Sequence, residues 1–316
     1  MPNHYGHRRF TFVEDKLPAI AGMAKYMADK TGDEYLVGLW KSELPSSLVW
    51  YAECHQNSKY HMELPEVFSI LHSPKPYIAP SWSPLRLDVA VKPGFASNMW
   101  YRGNTPESTI VDTSVSSVGE NPFGRVRSGR IRIRGRVTTV SSNLAPLPCH
   151  RDDKLWFALE KGVITYYNLD CSPRDSTCIR GELLMLLISS IERPHSSLHR
   201  EAHHCSDEEA HHCLKHYLPL LVAGDESSPD LELDGFESEA DQHSDIVESG
   251  SNSLHSRRSS DAQSSNINNG DAFGLLVHPL PGTNDYVRVG VWLSMEEDGG
   301  GNALFEDAEE REIDIV

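Results

Sequence analysis

Apolar residues recur along this chain with two different periods, and the period changes near Pro74. Before Pro74, spacings of three and four predict the apolar stripe of a helix within residues 11–31. The stripe consists of Leu17, Ile20, Ala21, Ala24, Met27 and Ala28. Asp15 is placed to cap this helix, Pro18 fits its first turn, and Gly32 is placed to end it.

A second helical piece is predicted over residues 33–44, where Leu36, Leu39 and Trp40 share one helical face. Pro45 interrupts it. The two pieces together predict a compact helical unit over roughly residues 11–55.

The strongest strand pattern of the chain lies in residues 129–140, which read GRIRIRGRVTTV. Strict alternation turns one set of side chains away from the other. One face carries Ile131, Ile133, Val137 and Thr139, and the other carries Arg130, Arg132, Arg134 and Arg136. Gly135 inside the run indicates a bulge or a close backbone contact.

Further strands are predicted at Leu155–Ala158, Val163–Tyr167, Leu183–Ile191, Gly274–His278 and Val287–Leu293. The predicted class is α+β, with an N-terminal helical subdomain packed on a mainly antiparallel β domain, either a sandwich or barrel-like. We divide the chain into a helical subdomain (1–73), the first part of a β-rich domain (74–198), a His/Cys-rich tract with an acidic insert (199–271), and closing strands with an acidic tail (272–316).

The net charge of −17 is concentrated in two segments. Residues 224–270 hold 11 acids, 2 bases and 12 serines, and residues 295–316 hold 9 acids and 1 base. The first segment has too few apolar residues to offset its ordering entropy, so we predict a disordered insertion in a loop. The acidity is therefore assigned to a linker and a tail, and it disfavours nucleic acid as a partner.

The six cysteines are interpreted as reduced thiols of an intracellular, cytoplasmic protein, since the polar start MPNHYGHRRF is not a signal peptide. The longest apolar run, within Leu183–Ile188, is too short to span a bilayer. No membrane partner is expected.

A histidine and cysteine tract is the main candidate for chemistry. The triplet His203, His204, Cys205 recurs as His211, His212, Cys213, followed by His216. These residue types suit Zn²⁺, but the spacing matches no standard zinc motif. A short duplication in a variable loop is the alternative, and no metal site is assigned.

Other candidates each have a structural alternative. The four arginines would suit phosphate but also fit an exposed strand face that protects a sheet edge. Adjacent Cys149 and His150 do not define a catalytic dyad, and Cys171 and Cys178 flank a turn. The glycines of residues 296–302 suggest a hairpin loop or a flexible excursion. We therefore predict no catalytic residue, no cofactor and no enzymatic activity.

The stretch Ala79–Ser83, APSWS, is either a pocket lining or a rigid seam where the chain passes from the helices into the sheet. The surrounding prolines fix the path of the backbone. The stretch alone does not decide between the two.

Three pieces of the chain resemble the region that follows the heterokaryon-incompatibility (HET) domain in proteins of filamentous fungi. The first comprises Asp15–Ala24, Asp33–Trp40 and Leu48–Trp50; the second is Ala79–Ser83, with Pro84 in place of a second Trp. The third comprises YVRVGVWL at 286–293 and REIDIV at 311–316, which resemble the family's Arg-Val-Gly strand and its closing Ile-rich strand. The HET domain's closing pattern, Arg-Xaa-Trp-Thr-Xaa-Gln-Glu, does not occur in the 316 residues.

This resemblance implies the regulatory or recognition region of an allorecognition and programmed-cell-death protein, truncated and lacking its effector domain. It also favours a rigid seam at Ala79–Ser83, with Trp82 as a core anchor. Other proteins are the expected partners, through the β domain or the acidic insert. Two alternatives stay open, a metal-binding enzyme or sensor using residues 199–216, and a degenerate gene product without independent function.

Overall fold

One α-helix opens the described part of the chain. The computed structural model describes residues 10–52, 66, 68–69, 72, 74, 76–87, 91–92, 104–140, 145–146, 156–160, 163–170, 183–191, 270–296 and 300–316. The helix, α1, spans Lys16–Thr31 and ends at Gly32, whose φ of 70° is left-handed and whose N–H donates to the Ala28 carbonyl. Asp15 precedes α1 as predicted but binds Arg125 at 2.9 Å instead of capping.

The apolar stripe of α1 is shorter than predicted. Leu17, Ile20, Ala21 and Ala24 are buried, whereas Met27 is 41% exposed. The first three turns therefore pack on the protein, and the last turn faces solvent.

The predicted second helical piece is wrong, because Tyr35–Leu36 (β1) and Leu39–Trp40 (β2) form a hairpin. The two turn residues, Val37 and Gly38, both have positive φ, at 46° and 101°. Two such residues between two strands form the tight turn that matches strand twist. Short 3₁₀ helices follow directly, at Lys41–Glu43 and Ser46–Leu48.

Twelve further strands are present in the described part of the chain, of which six lie close to the predicted positions and six were not predicted from the periodicity. They are Tyr51–Ala52 (β3), Val91–Lys92 (β4), Thr105–Pro106 (β5), Ser108–Ser117 (β6), Val126–Thr139 (β7), Ala145–Pro146 (β8), Trp156–Glu160 (β9), Val163–Leu169 (β10), Leu184–Ile191 (β11), Asp271–Pro279 (β12), Asp285–Ser294 (β13) and Glu309–Ile315 (β14).

Ten of these strands form one sheet, and five of them close a ring of pairings. The ring runs β7–β11–β12–β13–β14 and back to β7. All of its pairings are antiparallel except β13–β14, which is parallel over two residue pairs. Strand β6 flanks β7, and β10, β9 and β8 continue outward from β13.

Both faces of the ring are apolar along β11, where Met185, Leu186, Leu187 and Ile188 are all buried. Alternate residues join two separate core clusters. The first cluster also takes in Leu17 and Ile20 of α1, so the helix packs on one face of the β domain.

The charged C-terminal segment is part of the sheet, which confirms the closing strand that the resemblance implies at residues 311–316 and corrects the assignment of the acids there to a tail. Residues 309–315 form β14, and Gly301–Phe305 form a 3₁₀ helix with Phe305 fully buried, in place of the predicted excursion. Gly301 has a φ of 74°, and a Cβ there would lie 2.2 Å from the Gly270 carbonyl oxygen. The acidic insert of residues 224–270 lies, except for Gly270, outside the described residues.

Candidate functional site

The stretch Ala79–Ser83 lies inside the protein. Trp82 and Ser83 are fully buried, and Trp82 belongs to the core cluster that includes α1 residues. A Cβ on Gly129 of β7 would lie 2.9 Å from the Trp82 ring, so only glycine allows β7 to approach it this closely. The prediction that Trp82 is a core anchor is confirmed.

Hydrogen bonds tie this stretch to the N-terminal part of the chain. The Trp50 indole N–H donates to the Trp82 carbonyl at 2.9 Å. The Ser83 hydroxyl donates to the Val37 carbonyl at 2.5 Å. Both bonds are buried, where an unpaired carbonyl would be costly.

Ser81 ties the same stretch to the β domain. Its backbone N–H donates to the Val316 carbonyl at 3.0 Å, and its hydroxyl donates to the same oxygen. The Ser81 hydroxyl also accepts the backbone N–H of Arg288 at 2.9 Å. One serine therefore links the end of β14 to the middle of β13.

The buried guanidinium of Arg288 lies at the centre of this junction. It donates to the Asp170 carboxylate and to the Trp50 carbonyl. Its central carbon lies 3.4 Å from the centroid of the Trp50 ring, in a cation–π arrangement. Arg288 is 0% exposed, so each of these contacts is shielded from water.

Asp170 directly follows β10 and is 1% exposed. Its backbone N–H donates to the Val289 carbonyl at 2.9 Å, which fixes the carboxylate beside β13. Burial raises the pKa of the Asp170 carboxyl, and the charges of Arg288 and Arg86 oppose that rise.

Gly290 allows β10 and β13 to lie close enough for this ion pair. A Cβ at Gly290 would lie 2.4 Å from the Asn168 carbonyl oxygen. Any side chain there would push β10 away, and Asp170 with it.

Sequence reasoning missed Arg288 and Asp170 as a site. Arg288 lies within the piece YVRVGVWL of the resemblance, and Asp170 belongs to none of the predicted features. The available signal was an arginine between two valines in an otherwise apolar strand. A strand of that composition is usually buried on both faces, so its arginine is expected to be buried as well.

The junction is suited to holding segments together. It combines a desolvated ion pair, a cation–π contact and buried hydrogen bonds to three separated parts of the chain. Among the described residues, no group of three or more metal-ligating side chains is present.

The four alternating arginines of β7, from Arg130 to Arg136, are all bound by carboxylates. Their side chains are 29–52% exposed, as predicted for a strand face. The partners are Asp285 and Asp314 for Arg130, Asp314 for Arg132, Glu312 for Arg134 and Glu107 for Arg136. The expected edge position is wrong, since β7 has strands on both sides.

The remaining candidates lie outside the described residues. These are the tract His203–His216 and the pairs Cys149–His150 and Cys171/Cys178. The metal-binding alternative for residues 199–216 therefore stays a hypothesis.

The chain was compared with protein-family models, curated proteins and solved structures, and none of the three comparisons gave a match. No helix of the described residues has both the length and the apolar character needed to cross a membrane.

Proposed function

We propose that this chain is the non-enzymatic regulatory or recognition region of a fungal HET-type allorecognition protein. It would present or restrain an effector domain that is not encoded in these 316 residues, and its partners would be proteins. The role itself is what the resemblance implies, since a fold alone does not determine a function.

One observation carries the proposal further: the separated pieces of the resemblance meet at the junction around Arg288. Trp50 of the first piece hydrogen-bonds Trp82 of the second. Ser81 of the second piece binds Val316 and Arg288 of the third. Residues up to 238 positions apart in sequence therefore contact each other directly.

These contacts support the proposal that the three pieces of the resemblance act together. The hairpin carrying Val37, the Trp50 segment and the β domain are joined at one buried point. A rigid connection of this kind suits a region that must hold another domain in a defined position. It favours a positioning role for the pattern over a reactive one.

Expression in a filamentous fungus tests the role. We expect the full chain alone to be tolerated, and the chain joined behind a HET domain to change the cell death that this domain causes. Arg288→Met in the fusion should remove that change, whereas Arg134→Ala, on an exposed pair, should keep it. Both fusions must accumulate to the same level.

Cell death caused by the full chain alone would contradict the proposal. So would a fusion in which the HET domain behaves as it does without the chain.

A further inference from the structure

Strand β6 has one outer edge without a strand partner among the described residues. Its ten residues pair with β7 on one side only. The strand is rich in serine and threonine, and Val111 on it is 43% exposed. An unpaired edge presents backbone donors and acceptors to any extended chain that reaches it.

A groove of about 470 Å³ runs along this edge. Its second wall is the segment that follows the β1–β2 hairpin, which contributes Lys41, Leu44 and Pro45. The strand side is formed by Pro106, Ser108, Thr109, Ile110, Val111, Asp112 and Thr113. A strand edge facing a second wall across a groove is the arrangement in which peptides bind by strand addition.

A buried hydroxyl in the groove lacks a partner. Ser108 is 4% exposed, and its Oγ makes no hydrogen bond within the described part of the chain. Buried polar groups nearly always have a partner, and leaving one unpaired costs about 1–3 kcal/mol. A polar group of a bound peptide would satisfy this hydroxyl.

The same edge carries features that limit what it accepts. A bulge at Val111 interrupts the register, since Ile110 lies opposite Ile133 and Asp112 opposite Arg132. Regular pairing resumes at Asp112 and continues to Ser116. Bulges oppose long edge-to-edge pairing, so the occupant is a short segment with one end in the groove.

The charge at the mouth of the groove selects the occupant. Lys41 binds Glu34 at 2.6 Å. The hydrogen bond from Lys41 to Glu34, and the charges of Glu34, Asp112 and Asp33, raise the pKa of Lys41. Lys41 therefore interacts with three carboxylates, and Arg132, which also interacts with Asp112, is bound by Asp314. The net charge at the mouth of the groove is therefore negative.

We propose that the outer edge of β6 binds a short extended segment of a partner protein that carries a Lys or Arg facing Asp112. The segment adds a strand along residues 112–116 and inserts an apolar side chain between Leu44 and Ile110. This inference rests on the groove alone and holds whether or not the chain serves a HET-type effector domain.

A display library of random heptapeptides, selected against the immobilised full chain, tests the inference. We expect enriched peptides with β-branched residues and one Lys or Arg. Fluorescence polarisation should show about a tenfold or greater affinity loss for Asp112→Lys. Asp29→Lys makes the same charge change on exposed α1 and should bind as the unmodified chain does.

A charge swap and a backbone change sharpen the test. A selected peptide with its basic residue changed to Glu should prefer the Asp112→Lys variant. Methylation of its backbone nitrogens should abolish binding, because strand addition needs their N–H groups.

The inference is overturned if no peptide is enriched, or if enriched peptides bind Asp112→Lys unchanged. It is also overturned if the N-methylated peptide binds equally well. Self-association that Asp112→Lys abolishes, in the absence of peptide binding, would show that the edge pairs with a second copy of the chain instead.

Discussion

Two sets of arginine–carboxylate pairs occupy opposite environments in this protein. Arg288 and Asp170 are 0% and 1% exposed, while Arg134 and Glu312 are 52% and 41% exposed. The chemistry of the two pairs is the same. Their difference shows that the position of an ion pair, and not the number of such pairs, decides what its loss does to the protein.

Solvent explains the difference. Water and salt screen the exposed pairs of β7, so each contributes little to stability. Around Arg288, desolvation makes each charge costly by itself, and the partner offsets only part of that cost, so the pKa of Asp170 stays raised. The buried pair is therefore an interdependent unit, whereas the exposed pairs are separable.

The largest effect should come from removing one member of the buried pair. Asp170→Ala leaves a guanidinium that cannot lose its charge, and we expect a loss of about 3–5 kcal/mol in the free energy of unfolding. Arg288→Met should cost less, because Asp170 can take up a proton. Urea denaturation measures both losses. A loss as small as that of an exposed pair would refute the comparison.

Replacing both members together should recover most of the loss. In the double variant Asp170→Leu with Arg288→Met, no charge is left unpaired, and the free energy of unfolding should equal or exceed the original value. Comparison with Asp170→Leu alone and Arg288→Met alone gives the coupling free energy between the two positions. Additive losses would mean that the two residues act independently.

The pH dependence of stability should differ in sign between Asp170, which is fully buried, and Asp314, which is 18% exposed. The pKa of Asp314 is lowered, first by its hydrogen bond from Arg132, so its contribution is present above the ordinary value of 3.8 and is lost as pH falls through the folded pKa. Burial raises the pKa of Asp170 above 3.8. Its contribution is therefore complete below 3.8 and is lost as pH rises through the folded pKa.

Unfolding free energies of Asp170→Asn and Asp314→Asn, measured between about pH 3 and 7, test this contrast. Relative to the unmodified chain, the two variants should change the slope of the unfolding free energy against pH in opposite directions. Slopes that change in the same direction would be inconsistent with the two environments.

The smallest effect should come from the exposed ladder. Arg134→Ala should lose roughly a fifth or less of the unfolding free energy that Asp170→Ala loses, and high salt should reduce the difference further. The measurement is urea denaturation at low and high salt. A salt-independent loss as large as that of Asp170→Ala would show that the ladder is a buried network.

Local pattern sufficed for much of the fold. The 3.6-residue stripe located α1 and Gly32 located its end, while alternation located β7 and the later strands. These features depend on contacts within a few residues. The same stripe rule failed at residues 33–44, because Val37 and Gly38 adopt positive φ and turn the chain back on itself.

The sequence by itself determined where most strands lie, that one face of β7 is charged, and that Trp82 is a core residue. Only the tertiary structure decided which arginine is buried, which carboxylates bind the arginines of β7, and that β6 has one edge without a strand partner among the described residues. The physical reason is range: periodicity reports burial along one element, whereas the partner of a charge or a strand edge comes from elements more than a hundred residues away.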